Sequence, residues 1–298
     1  MNLGKPDWIA IDWGTTNFRA WLIKDDKIVK EINKPHGIRN IPNQNFENIL
    51  IKNIKLQKNN KKKIKIISCG MIGSKQGWHD TGYEKKINLK KNNLVKIKTK
   101  NKNIDFYIVK GLSQNNPYDV MRGEETQILG FLKNNKYFSG FICLPGTHSK
   151  WIKIIRGKLI NFKTYMTGEL FEIITTNSIL KHSIEEKKIN LKIFRNSIIK
   201  SQKNNFNFFD HLFEFRSRKL LSKNKYYPRS ELMAYLIGRE IKSNIKNIKN
   251  SKVVIIGSNY NSKLYSRAMK SLKIENTVID SKNITISGLK ILFKKFIN

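Results

Sequence analysis

WIAIDWGTTNFRAWLI, residues Trp8 to Ile23, is the stretch whose reading decides the fold. An apolar run from Trp8 to Trp13 enters a turn of small polar residues, and a second run from Phe18 to Ile23 leaves it, which is the pattern of a β-hairpin. Lys27 to Ile32 can add a third strand. The tip carries Asp12, Gly14, Thr15, Thr16, Asn17 and Arg19. Glycine lets a phosphate approach the main chain, the adjacent amides and hydroxyls can donate to its oxygens, and an aspartate at the strand end can hold the water shell of magnesium. An isolated DxGTTN could be a plain hairpin turn, but the apolar strand before it favours the phosphate role.

Working outward, Phe46 to Leu56 reads as a helix and KIKIISCG, from Lys63, as a strand that leads into the loop MIGSKQGW. Ile104 to Val109 is a further strand, followed by a segment from Gly111 to Tyr118 that reads as a loop. GEETQILGFL, Gly123 to Leu132, is a helix whose first turn holds two glutamates, where acid suits the helix dipole. From Phe138 the opening pattern returns: FSGFICLPGTHSKWIKII is strand, glycine turn, strand, with another strand at Leu159 to Thr164. Glu169 to Asn177, Glu231 to Ser243 and Ser262 to Leu272 read as helices, and Val253 to Gly257 as a strand ending in glycine. A strand-turn-strand with small polar residues at its tip in each half is the mark of an internally duplicated α/β enzyme.

The second tip offers Gly146, Thr147, His148 and Lys150 to phosphate oxygens, although a lysine in this chain could be merely solvated. A third glycine turn holds Gly257 and Ser258, placed to meet a base or ribose. Glu124, at the start of its helix, is a candidate general base: removing a hydroxyl proton needs an ionised carboxylate near the transferring phosphate. Its competing role is to cap the helix. Glu169 can orient substrate hydroxyls or serve its own helix dipole. Met71 and Gly73, in a loop at a strand end, are further candidates for substrate contact. Arg19, Arg122 and Arg216 are candidates for a substrate carboxylate, to which a guanidinium bonds through two nitrogens. His36, His79, His182 and His211 lack metal-ligand spacing and read as structural or surface residues.

The 298 residues carry 58 lysines and arginines against 22 acids, a formal charge of +36. A field of that sign favours anionic substrates and would suit nucleic acid. The lysines, however, lie in runs with asparagine and isoleucine, as at Lys58 to Lys65, Lys85 to Lys102 and Asn244 to Lys252. All three residue types have AT-rich codons, so compositional drift is the favoured reading and a nucleic-acid partner is not. Two cysteines, Cys69 and Cys143, are too few for a disulfide scaffold and are not spaced for metal. No window reaches membrane-spanning length, and the expected location is the cytoplasm.

The stretches IAIDWGTTNFRAWL, CGMIGSKQGW, VMRGEETQILG, LPGTHSKWI, YMTGELFEI, LFEFRSRKLL and ELMAYLIGREI, in that order across nearly the whole chain, resemble the 2-dehydro-3-deoxygalactonokinases of the actin-like, hexokinase-like ATPase superfamily. The resemblance implies an α/β protein of two ribonuclease-H-like lobes with an interlobe cleft, divided as residues 1–122 and 123–298. It also implies ATP and Mg2+ as cofactors and 2-dehydro-3-deoxy-D-galactonate as the acceptor, phosphorylated on its 6-hydroxyl. By this resemblance, Asp12 to Asn17 form the first phosphate loop with Asp12 carrying the metal. Gly146 to Lys150 form the second loop, Gly257 to Asn259 the adenosine loop, and Glu124 the catalytic glutamate. Many superfamily members begin the second loop with aspartate, whereas Leu144 and Pro145 stand here.

Two other readings are weighed beside this one. An actin-like phosphohydrolase of polyphosphate or nucleotide would release phosphate without a sugar acceptor. A basic polyanion-binding protein would show steep salt dependence. The sequence allows a homodimer and does not fix the oligomeric state.

Overall fold

In the computed structural model, which describes residues 6–41, 45–55, 63–87, 93–257 and 260–297, the opening hairpin is β1 (Trp8–Trp13) and β2 (Phe18–Lys24), followed by β3 (Lys27–Lys34). After α1 (Phe46–Ile54) come β4 (Ile64–Cys69), β5 (Tyr83–Glu84), β6 (Leu94–Ile97) and β7 (Ile104–Val109). The segment expected to be a loop forms a hairpin instead, β8 (Gly111–Asn115) and β9 (Tyr118–Met121), which with β5 makes a small sheet. Its polar run SQNNPYD conceals the pairing of Leu112 with Met121, whose side chains are both buried. The last element of this stretch is α2 (Glu124–Asn134).

The pattern then repeats with β10 (Gly140–Leu144), β11 (Ser149–Ile155) and β12 (Lys158–Tyr165). Next come α3 (Thr167–Thr176), α4 (Leu191–Ser201), α5 (Phe208–Leu221) and α6 (Pro228–Ile248). The second unit closes with β13 (Val253–Ile256), α7 (Tyr260–Ser271) and β14 (Thr277–Ile279). A final helix, α8 (Ser281–Phe296), belongs to the first unit.

Two compact units result. Residues 1–137 with 281–298 form the first, and residues 138–280 the second; the sequence reading drew its division after residue 122. The main sheet of the first has the order β3-β2-β1-β4-β7-β6, and that of the second β12-β11-β10-β13-β14. In each, the first three strands are antiparallel neighbours, and the first strand then pairs in parallel with a strand reached by crossover. The shared order is that of ribonuclease H, three meander strands and then two added in parallel, and its recurrence is the internal duplication that the repeated hairpin implied.

The first unit buries Ile9, Ile11, Trp13, Phe18, Leu50, Ile66 and Phe106 on one face of its sheet and Trp8, Ala10, Trp21 and Ile67 on the other. Because both faces are covered, β1 is a continuous apolar run rather than an alternating one. Covering the second face is what α8 does: Phe293 stacks on Trp8 at 4.3 Å, and Leu289 and Leu292 join the same cluster. Close approach to α2 is possible because glycines face each other's helix. A Cβ on Gly130 would lie 2.0 Å from the Ile284 carbonyl oxygen, and one on Gly288 would lie 2.0 Å from that of Thr126. Lys290 and Lys294 pair with Asp26, and Lys282 with Glu31, along the exposed side of α8. The second unit packs α4, α6 and α7 on its sheet through Phe194, Ile198, Ile237, Ile241 and Leu264.

Candidate active site

The first glycine turn sits at the end of β1, at the edge of the sheet where parallel strands finish. The Gly14 amide donates to the Asn17 carbonyl at 2.9 Å, closing the tip. A second strap of chain braces it: Gly37 donates to Thr16 (2.9 Å), Ile38 to Gly14 (3.0 Å) and Arg39 to Thr15 (3.1 Å). Gly37 must be glycine for this approach, since a Cβ there would come within 2.3 Å of the Thr15 carbonyl oxygen. Thr16 and Asn17 are exposed, and Gly14 and Thr15 are half-buried. His36 serves the frame, accepting from the Trp13 indole through its carbonyl at 2.8 Å and bonding Asn53 at 2.8 Å through its ring.

Parallel pairing registers Asp12 with Cys69, so the turn after β4 begins beside the turn after β1. Gly70, at φ 95°, lies so close that a Cβ would stand 2.7 Å from the Trp13 carbonyl oxygen and 3.3 Å from Asp12 Oδ1. Gly123, at φ 107°, in turn rests on Gly70, with 3.2 Å from its Cβ position to the Gly70 Cα. Two left-handed glycines in contact thereby bring the start of α2 to the end of β1. Asp12 and Glu124 are close enough to interact: burial pushes the Asp12 carboxyl above its usual range, the Arg19 guanidinium opposes the rise, and Glu124 adds to it. Arg19 holds Asp12 Oδ2 at 3.2 Å and remains 43% exposed.

Glu124 Oε2 accepts from the Arg122 amide at 3.0 Å, and Glu125 Oε2 from the Gly123 amide at 2.6 Å. The capping role considered for the glutamates is therefore present, and it orients them. Glu125 is buried, and burial, reinforced by Glu124, pushes its carboxyl up to about 8. A carboxyl whose folded value exceeds its unfolded value stabilises most in acid, and that contribution is withdrawn as pH rises from about 4.5 towards about 8. Glu125→Gln is expected to flatten this slope. Denaturant unfolding at pH 5 and pH 8.5 should show the unmodified protein losing up to roughly 4 kcal/mol more than the variant. Equal losses in both would contradict the assignment.

Not every expected substrate residue is available to solvent. The Arg122 side chain is 3% exposed; its guanidinium donates to Thr81 Oγ1 (2.6 Å) and the Gly82 carbonyl (3.1 Å) and stacks over Tyr83 at 4.5 Å. Gly73 is buried against it, with a Cβ position 2.9 Å from Arg122 Nη1. These two lock the loops around Glu124 together. Met71 is half-buried in the turn after β4. Arg216 lies on α5 in the second unit.

In that second unit, the turn Gly146 to His148 leaves β10 as the first turn leaves β1. Thr147 and His148 are exposed, whereas Ser149 and Lys150 are buried as β11 begins, so Lys150 is not a solvated lysine. The start of α3 closes on the turn: Glu169 donates its amide to the Thr147 carbonyl at 3.0 Å, and a Cβ on Gly168 would lie 2.4 Å from the Gly146 carbonyl oxygen. Across this junction His148 Nε2 meets Glu169 Oε2 at 2.6 Å. Behind it lies Glu240 of α6, 3% exposed, which the sequence reading did not single out. Its carboxylate accepts from Ser149, Trp151 and Tyr265, each at 2.7 Å, and from Thr167. The available signal was the second glutamate of ELMAYLIGREI, set beside Ile237 and Ile241 on an apolar helical face. Gly257, after β13, donates to Ile279 at 2.9 Å and sits against Ser262; Ser258 and Asn259 lie outside the described residues, as do 58–62 and 88–92 of the lysine runs.

A metal here would be held sparingly. Among the described residues no three His, Cys, Asp or Glu side chains cluster as a ligand set. Mg2+ commonly needs no more than one or two carboxylates, completing its shell with phosphate oxygens and water, and Asp12 at the strand end fits that demand. Both cysteines are buried and unpaired.

A ribonuclease-H-like unit made twice, with a glycine turn at the end of each first strand and carboxylates beside the first, defines the actin-like, hexokinase-like class of phosphate-handling enzymes. The sequence matches the family described as 2-keto-3-deoxy-galactonokinase over residues 12–292, and the chain belongs to that family. It is 31% identical over 291 residues to a Rhizobium meliloti (strain 1021) protein named "Probable 2-dehydro-3-deoxygalactonokinase DgoK1", covering 95% of each chain. Its identity to the 2-dehydro-3-deoxygalactonokinase of Escherichia coli (strain K12) is 24%, over 95% of this chain and 96% of that one. A crystal structure from Sinorhizobium meliloti, of a protein assigned as a 2-dehydro-3-deoxygalactonokinase, superposes with a TM-score of 0.87 at 30% identity over 97% of both chains.

Proposed function

We propose that the chain transfers the terminal phosphoryl group of ATP to the 6-hydroxyl of 2-dehydro-3-deoxy-D-galactonate, giving the 6-phosphate and ADP. Family membership supports the reaction class, and the observation that carries the chemistry is the meeting of Asp12 and Glu124 at two touching glycines. In this reading Glu124 takes the proton as the sugar oxygen bonds to phosphorus and the bond to the ADP oxygen breaks. Asp12 is the residue that would hold Mg2+, which would supply positive charge to offset that of the phosphates. Amides and hydroxyls of Gly14 to Asn17 and of Gly146 to His148 donate to phosphate oxygens, with Lys150 adding positive charge.

Arg19 opposes the rise that burial imposes on the Asp12 carboxyl and meets an anionic group of the substrate. Glu169 orients sugar hydroxyls while its partner His148 faces phosphate. Arg122 acts behind the site, fixing the main chain from which Glu124 projects. Gly257 and the residues after it receive the nucleoside. Neither a phosphohydrolase nor a polyanion-binding protein is favoured by the family match. No helix among the described residues is long and apolar enough to cross a membrane.

The test is coupled ADP release from purified, folded protein with ATP, Mg2+ and the sugar acid, with the product's phosphate position read by 31P and 13C NMR. Turnover with 2-dehydro-3-deoxy-D-galactonate and a 6-phosphate product are expected. Phosphate release without acceptor, or turnover only with another sugar acid, would reject the assignment.

A further inference from the structure

We propose that Glu240, in the middle of α6, is a positioning residue that holds the second glycine turn and the start of α3 in the shape ATP requires. The inference rests on the kinase reading above and deepens it. One buried carboxylate gathers four side-chain donors from three places in the second unit: Ser149 and Trp151 on β11, Thr167 at the head of α3, and Tyr265 on α7. Two of these donors flank the exposed pair His148–Glu169. Ser149 follows His148 directly, and Thr167 stands two residues before Glu169. The carboxylate thus pins both ends of the junction that the Glu169 amide and Gly168 close from the front.

A merely structural role fits the chemistry less well. Burying a carboxylate in the core is costly, and apolar side chains of similar volume commonly stabilise as much or more. Every neighbour needed for an apolar solution is present, since Ala234, Ile237 and Ile241 of the same helix are packed in the core. What a carboxylate adds is direction: it is acceptor-only, so each hydroxyl must donate towards it, and the Ser149 and Thr167 rotors are fixed. That fixes the backbone carrying the turn's amides before nucleotide arrives, which is how preorganised donors avoid reorganisation during reaction. Asn244, one turn on, bonds both the Glu240 carbonyl and Tyr165 Oη, extending the clamp to the end of β12.

The experiment compares wild type, Glu240→Gln and the double variant Ser149→Ala/Thr167→Ala. Readouts are steady-state kinetics, amide hydrogen exchange of residues 146–150 with and without Mg-ADP, and thermal unfolding. Glutamine keeps the shape but supplies one acceptor atom in place of two, which Trp151 requires, so Ser149 and Thr167 lose their common acceptor. The expected result is a rise of about tenfold in KM for ATP, with KM for the sugar acid within about twofold. Exchange at 146–150 should accelerate and its protection by Mg-ADP should weaken. The double variant should reproduce this while leaving Trp151 and Tyr265 on the carboxylate, and it stands in if Glu240→Gln does not fold. A fall in melting temperature with unchanged KM for ATP and unchanged exchange at 146–150 would overturn the proposal. Wild type that binds Mg-ADP yet does not phosphorylate the sugar acid would defeat the kinase reading alone, and the exchange data would still decide the role of Glu240.

Discussion

Replacing Glu124 by glutamine is expected to lower kcat by roughly 10²–10⁴, the range for loss of a positioned general base. The amide keeps an acceptor for the Arg122 amide, which bonds Glu124 at 3.0 Å, so the head of α2 should stay in place. It cannot, however, take the sugar proton. KM values for ATP and sugar acid should therefore change by no more than a few fold, and the melting temperature should hold. Reduced kcat at constant binding is the signature of an interaction made in the transition state. A pre-steady-state burst of product with an unchanged chemical rate would show that the proton goes elsewhere.

Asp12→Asn is expected to cut kcat/KM by roughly 10²–10³, with the loss falling on metal and phosphate rather than on sugar binding. Two consequences distinguish it from the Glu124 variant. The Mg2+ concentration for half-maximal rate should rise steeply, because an amide is a poorer ligand for a hard cation than a carboxylate. Stability should change little, since burial already opposes ionisation of Asp12 while Arg19 favours it, and asparagine removes both effects. Titration of Mg2+ at saturating ATP, alongside thermal unfolding, reads both. An unaltered Mg2+ requirement would remove Asp12 from the metal site.

Two glycines bring the Asp12 and Glu124 carboxylates close together. At Gly70 and Gly123 the positive φ values of 95° and 107° lie where side chains are strained. An alanine at Gly70 would also strike the Trp13 carbonyl oxygen. Both residues stand inside motifs that the sequence displays, CGMIG and RGEET, yet their mutual contact joins positions 53 apart and no local pattern encodes it.

Sequence alone determined the repeated hairpin and the two glycine turns, because these rest on local alternation and turn propensity. It also fixed the first strand of each unit, where an apolar run ending in glycine leaves little choice. Tertiary structure alone decided the rest. Arg122, a candidate for a substrate carboxylate, is packed as an internal brace, Gly73, a candidate for substrate contact, is buried against it, and Lys150, a phosphate candidate for which a solvated role was also weighed, is buried. The hairpin at Gly111–Met121 and the return of α8 to the first unit were hidden because their partners are remote in sequence. Glu240 is the clearest case: its four donors lie 25 to 91 residues away, so only folding collects them on one carboxylate. Burial and hydrogen-bond satisfaction depend on which chain segments meet, and that is settled by packing rather than by any window of sequence.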